Sequence, residues 1–266
     1  MAAKKILWEE HTWPELREAA RENRVVVLPV GTIEQHGPHL PLSTDCITSR
    51  EISRCVVEQI PDEAILMPQV YYSFNFHHLD FPGTIDVEGP HIIDYVTDIG
   101  KSIAHHGFRK ILLVNGHGSN VPFLDIVARN ICNHTDSVAA MVSWWSLSDP
   151  ALTEIRESEY PGGLSHGCEL ETSVILHFRP DLVQMEKAER DMDYPQSKFF
   201  FWDLQKPSPI RFQEFFSRNS RTGTKGDPTS ASAEKGRKVV ECVVGNMVEL
   251  IREFRERPIL PRVDHH

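Results

Sequence analysis

Apolar positions along the chain fall into two kinds of run, short uninterrupted blocks and longer stretches where they recur every three or four residues. Val25 to Val30 (VVVLPV) is continuously apolar and mostly β-branched. That is the pattern of a strand covered on both faces in a parallel sheet. Ala64 to Val70, Ile111 to Val114 and Val138 to Trp144 are further blocks of this kind. Between them the period is helical. Ile47, Ile52, Val56, Val57 and Ile60 predict a helix over 44–60, and Ile92, Val96, Ile99 and Ile103 predict one over 90–106 that ends at Gly107. Further helices are expected over 121–132, 169–178 and 232–256. A first helix should begin at Thr12, where Thr12 and Glu15 have capping-box spacing and Pro14 falls in the first turn.

Strands alternating with helices imply an α/β fold, a three-layer sandwich with a mostly parallel sheet flanked by helices. A chain of 266 residues suits a single domain over 1–266. The stretch from Pro180 to Pro228 keeps neither period. It is aromatic and proline-rich, and reads as loops and short strands forming a subunit contact rather than a lid over substrate.

Composition narrows the choice of partners. A formal charge of -10 with no basic patch argues against nucleic acid and anionic membranes. No apolar run approaches the roughly 20 residues needed to cross a bilayer. The start MAAKKILWEEH has no apolar core of a secretion signal, so a cytoplasmic protein is expected. Five cysteines without CxxC spacing fit reduced thiols.

Fourteen histidines, many beside Gly, Asn, Asp or Glu, point instead to metal. In an open α/β sheet the working groups sit beyond the carboxyl ends of the strands. After the first strand come Glu34, His36, His39 and Asp45, and after the third comes His117 between two glycines. Carboxylates and neutral imidazoles are ligands for zinc, manganese or iron. Glu34 and His36, two apart, face one cavity if the segment is extended, and Asp45 can return to it at the start of the next helix. A lone Glu-x-His is common by chance. Two such segments after two strands, with SHGCELETS (residues 165–173) as a third, are harder to dismiss as surface decoration. A nucleotide-binding protein without chemistry is the alternative of another class, but NGHGSN lacks GxGxxG spacing. A lactonase or phosphoesterase would keep the metals, yet no Arg or Lys stands in these blocks to clamp a phosphate.

The segments PVGTIEQHGPHLPLSTD, FPGTI, LLVNGHGSN and SHGCELETS, in this order, resemble the signature blocks of the creatininase (creatinine amidohydrolase) family over nearly the whole chain. The resemblance implies an amidohydrolase that cleaves a cyclic amide or formamide bond of a small molecule through metal-activated water. It also implies two divalent ions, zinc or manganese with iron also possible, and a homo-oligomer, usually a hexamer. Its metal positions fall on Glu34, His36, Asp45 and His117, with Asp45 bridging. His166 falls on an acid/base or hydrogen-bonding position, and Glu171 within or just behind the metal shell. His78 and Trp145 fall on substrate-lining positions, for which structural packing is an equal alternative. Two departures stand out. Ser119 occupies the place of a glutamate that follows the NGH histidine in creatininase, so either Glu171 substitutes or the second ion is held weakly. Gly162-Gly163-Leu164 stands where creatininase has a Trp-Asp pair. At the NGHGxN block the chain resembles the family's formamide deformylases and its peptide-trimming maturation enzyme more closely, with Ser119 available to substrate.

Overall fold

The computed structural model describes residues 4–266, so the first three residues of the segment read for a leader lie outside the described residues. Four strands, β1 (Val25–Val30), β2 (Ala64–Leu66), β3 (Lys110–Asn115) and β4 (Val138–Ser143), form one sheet in the order β2-β1-β3-β4, with every pair parallel. Seven helices alternate with and follow them: α1 (Trp13–Arg21), α2 (Thr44–Gln59), α3 (Gly89–His105), α4 (Val121–His134), α5 (Ala151–Ile155), α6 (Glu169–Phe178) and α7 (Ala233–Glu256). The capping box of α1 forms as expected, with Glu15 accepting from the Thr12 amide at 2.7 Å.

Because strand side chains alternate between faces, each strand feeds two cores. Val25, Val27, Leu112 and Val114 pack with α2, α6 and α7, while Val26, Leu28, Ile111 and Leu113 pack with α1, α3 and α4. This is the three-layer sandwich that continuous burial predicts.

β2 ends at Leu66, shorter than its apolar run, which Pro68 and Gln69 interrupt. Pairing resumes at Val70, whose amide donates to the Pro29 carbonyl at 3.0 Å. Pro29 is tolerated inside β1 because its missing amide faces the place where β2 has already stopped. Between 180 and 228 the expected short strands do not form. The segment holds single 3-10 turns and two isolated bridges, His166 with Lys225 and Asp191 with Gly226. Asp203 anchors it, accepting from Arg156 at 2.8 and 3.1 Å and from the Gly162 amide at 2.9 Å, all in a buried setting.

Candidate metal centre

The segment after β1, the first turn of α2, the turn after β3 and the first turn of α6 converge beyond the carboxyl ends of β1 and β3. They bring Glu34, His36, Asp45, His117 and Glu171 together, all buried. Close backbone approach makes this possible. A Cβ on Gly116 would collide with the Asp45 carbonyl oxygen, and one on Gly31 would lie 2.7 Å from the Cys46 Cα. Asp45 and Glu171 each sit in the first turn of a helix, where the aligned peptide dipoles favour a carboxylate.

The imidazoles are oriented by what their outer nitrogens touch. His36 Nδ1 lies 3.0 Å from the Glu34 carbonyl oxygen, so that nitrogen donates and Nε2 points inward bare. His117 Nε2 donates to the Phe74 carbonyl at 3.1 Å, which leaves Nδ1 facing the carboxylates. Asn115 fixes the His117 backbone from both sides, accepting from its amide and donating to its carbonyl.

The inward nitrogens and the carboxylate oxygens then meet at contact distance. His36 Nε2 is 3.1 Å from Asp45 Oδ1 and 4.0 Å from Glu171 Oε1, while His117 Nδ1 is 3.1 Å from Glu34 Oε2 and 3.2 Å from Asp45 Oδ2. Despite these distances, both Glu34 oxygens, His36 Nε2 and Asp45 Oδ2 are buried without a properly directed hydrogen bond. Buried polar atoms that share a focus and have no partner suit an ion between them. The donors form the triads Glu34-Asp45-His117 and His36-Asp45-Glu171, each with its ligand atoms within 4.8 Å of one another. Asp45 belongs to both, one oxygen to each. Glu34, His36 and His166 form a third grouping at the rim.

Charges are forced on one another here. Burial pushes the Glu34 carboxyl up to about 8 and Glu171 up to about 7, with neighbouring carboxylates adding to the rise. Burial opposes charge on His36 too, yet Asp45 beside it raises the imidazole to about 10. Against the same opposition, Glu34 and Asp45 raise His117 to about 8. His36 and His117 hold Asp45 below the usual carboxylate range although burial works the other way. Crowding three carboxylates in a dry site is costly unless cations share it.

His78 and His166 stand on the open side of this cluster. His78 Nε2 is 3.2 Å and His166 Nε2 3.4 Å from Glu34 Oε1, and His166 Nε2 lies 2.7 Å from the Gln35 carbonyl oxygen. Burial, then the neighbouring imidazoles, holds both well below the ordinary histidine range. The Ser119 hydroxyl pairs with His77 Nε2 at 3.0 Å. His39 turns away to Thr172 at 2.9 Å. Trp145, read as a substrate-lining or a core ring, is partly buried against the apolar core beside α7, edge-on to Trp144. A strand end adjoining a hydrophobic layer gives a large ring more to bury on that side.

Three residues that the sequence reading did not single out complete the surroundings. Gln35 donates its amide to His78 Nδ1 at 2.8 Å and to the Gly223 carbonyl at 3.0 Å. Phe216 stacks on His78 at 4.1 Å between centroids and meets His166 edge-on at 4.8 Å. Lys225 pairs its backbone with His166 in both directions, at 2.6 and 2.8 Å. The part of the 180–228 segment that carries Phe216 therefore covers the cluster, whereas Phe199, Ile210 and Phe212 remain exposed.

The parallel sheet and its buried focus of carboxylates and imidazoles together define the class, a metal-dependent α/β hydrolase. The chain belongs to the creatininase family: a sequence model of that family, described as creatinine amidohydrolase, matches residues 9–251. It is 30% identical to creatinine amidohydrolase from Pseudomonas putida, over 94% of this chain and 98% of that protein. It is 29% identical to the mycofactocin precursor peptide peptidase of Mycobacterium tuberculosis, over 88% and 86% of the two chains. A solved structure titled as a manganese form of creatininase superposes with a TM-score of 0.79 at 28% identity, covering 96% of this chain and all of that one. A Zn-Zn form of a creatininase mutant superposes equally well. The relatives reported above are named for hydrolysis of carbon-nitrogen bonds and creatininase is seen in zinc and manganese forms, and this chain is a metal-dependent hydrolase of that family.

Proposed function

We propose that the chain hydrolyses a cyclic amide or formamide of a small molecule at a binuclear centre within one catalytic domain. One divalent ion would be held by Glu34, Asp45 and His117, the other by His36, Asp45 and Glu171. The observation that carries this reading is Asp45, whose two oxygens face two different triads. Glu171 then fills the role left open by Ser119. Two such ions would polarise a carbonyl oxygen and bring the pKa of a bound water from 15.7 to about 7. Zinc or manganese suits this donor set, with iron also acceptable, and relatives are known in zinc and manganese forms.

The chain's own groups do the remaining work. In amide hydrolysis water adds to the carbonyl carbon, the carbon-nitrogen bond breaks, and a proton ends on the leaving nitrogen. His166, kept neutral by burial and positioned by the Gln35 carbonyl, is the group placed to carry that proton. His78 faces the same side and contributes a hydrogen bond to substrate. Phe216 excludes bulk water from both.

We also infer a homo-oligomer, by family resemblance a hexamer, supported by the exposed rings of Tyr71, Tyr72 and Phe76 beside the site. A cytoplasmic location is supported by five free cysteines. No helix among the described residues is long and apolar enough to cross a membrane.

The test is hydrolysis of creatinine, hydantoin, an N-formylated aminopyrimidine and the acidic formamide N-formylglycine by protein stripped with chelator and reloaded with zinc or manganese. Turnover of at least one, lost on stripping and restored on reloading, is the expected result. Fully loaded protein that hydrolyses none of them contradicts the proposed substrate class.

A further inference from the structure

Lys225 is wholly buried (0% exposed), yet its Nζ has no hydrogen-bond partner. Burial pushes its ammonium down to about 7, and Glu214 and Asp191 oppose that only as more distant charges. The ammonium lies between the rings of Trp202 and Phe216, which are within 7° of parallel with centroids 6.3 Å apart. It is 3.0 Å from the first centroid and 4.2 Å from the second, with the Tyr194 ring at 5.3 Å. Ring faces attract a cation but satisfy none of its three N–H donors in full. A buried donor left in this state calls for a partner.

The surroundings aim this group at the candidate site. Its backbone is paired with that of His166, and Phe216, one wall of its cage, is also the ring stacked on His78. Its charge is felt at His77, whose Nδ1 is likewise buried without a partner. Phe216 is only 8% exposed and packs on His78 and His166 as well as on the ammonium, so one ring separates the lysine from both imidazoles. A substrate that moved this ring aside would meet the ammonium and the two imidazoles in one space.

We propose that Lys225 is a specificity-determining residue that binds a carboxylate carried by the substrate, which makes the preferred substrate an acidic amide rather than a neutral one. This rests on the hydrolase reading of the same site. One monovalent cation with three donors matches one carboxylate, and Trp202 supplies a flat wall for the apolar part of the molecule. A neutral substrate would leave the ammonium buried and unpaired, which is the more costly state.

The experiment compares N-formylglycine with N-formylglycinamide, which differ at the carboxylate, by calorimetric titration into metal-loaded protein. The native chain should bind the acid at least about tenfold more tightly. In Lys225→Met that preference should vanish while metal content stays at the native level. Lys225→Gln, which keeps a donor and most of the stem, serves if the methionine variant does not fold and should show the same loss. Equal binding of the two compounds by the native chain, or no binding of either, overturns the proposal. A preference that survives in the variants also overturns it, because the carboxylate is then held elsewhere, as on the ions. Inorganic phosphate competing at lower concentration than N-formylglycine overturns the carboxylate in favour of a phosphate. Hydrolysis is scored separately, so loss of the hydrolase reading is distinguishable: binding preference with no turnover keeps Lys225 in its role and removes the reaction.

Discussion

The two sides of the site are built differently. On the sheet side, each candidate ligand is fixed by an element that exists for other reasons: β1 and β3 end there, α2 and α6 begin there, and backbone carbonyls orient both imidazoles. On the other side, Phe216, Trp202 and Lys225 come from a segment without regular structure, held mainly by ring contacts and by the buried Arg156–Asp203 pair. The first arrangement suits chemistry that tolerates little displacement. The second can yield when substrate enters, since loops carry the lower local stability that gating motions need.

That contrast can be broken at several points. The largest effect should come from Asp45→Asn, which removes charge from both triads at once. Metal analysis should show both ions lost or much weakened, and hydrolysis should fall about a thousandfold or more, several kcal/mol of lost electrostatic stabilisation. Loss of one ion alone would mean that Asp45 is not shared. Asp203→Ala should cost about 3 kcal/mol in denaturant unfolding, because the Arg156 guanidinium is left buried and unpaired. Its metal content should stay native, and a drop in metal content would show that the two sides are not independent. Asn115→Ala, which frees the His117 backbone, should weaken metal affinity about 10-fold to 100-fold in a chelator competition with the fold kept. The smallest effect belongs to Trp145→Phe. Here kcat/KM should stay within about twofold and stability should drop by about 1 kcal/mol, as suits a residue of the core. A large change in KM would return Trp145 to the substrate pocket.

Legibility in the sequence followed the same division. β1 and β3 were visible because strands buried on both faces are written as unbroken apolar runs, and the polar residues that follow them are the ones the structure brings together. Asp45 was placed correctly at the start of α2 because the apolar period resumes just after it. Gln35 was not visible: alternation along an extended segment assigns it to the face opposite Glu34 and His36, whereas irregular backbone after Gly31 lets it reach His78. Nor was Lys225, since lysine is ordinarily a surface residue and only tertiary packing against three rings buries it. The segment over 180–228 has no hydrophobic period, so nothing local says which of its rings turns inward. Phe216 does, while Phe212 four residues earlier stays exposed.

In the proposed centre one aspartate is shared by two ions. Anomalous diffraction at the zinc edge from zinc-loaded crystals tests it most directly. Two peaks are predicted, about 3.5 to 4 Å apart. One should lie among Glu34, Asp45 Oδ2 and His117 Nδ1, the other among His36 Nε2, Asp45 Oδ1 and Glu171. A single peak at full loading, or a second peak held by His77 and Ser119 in place of Glu171, would contradict it.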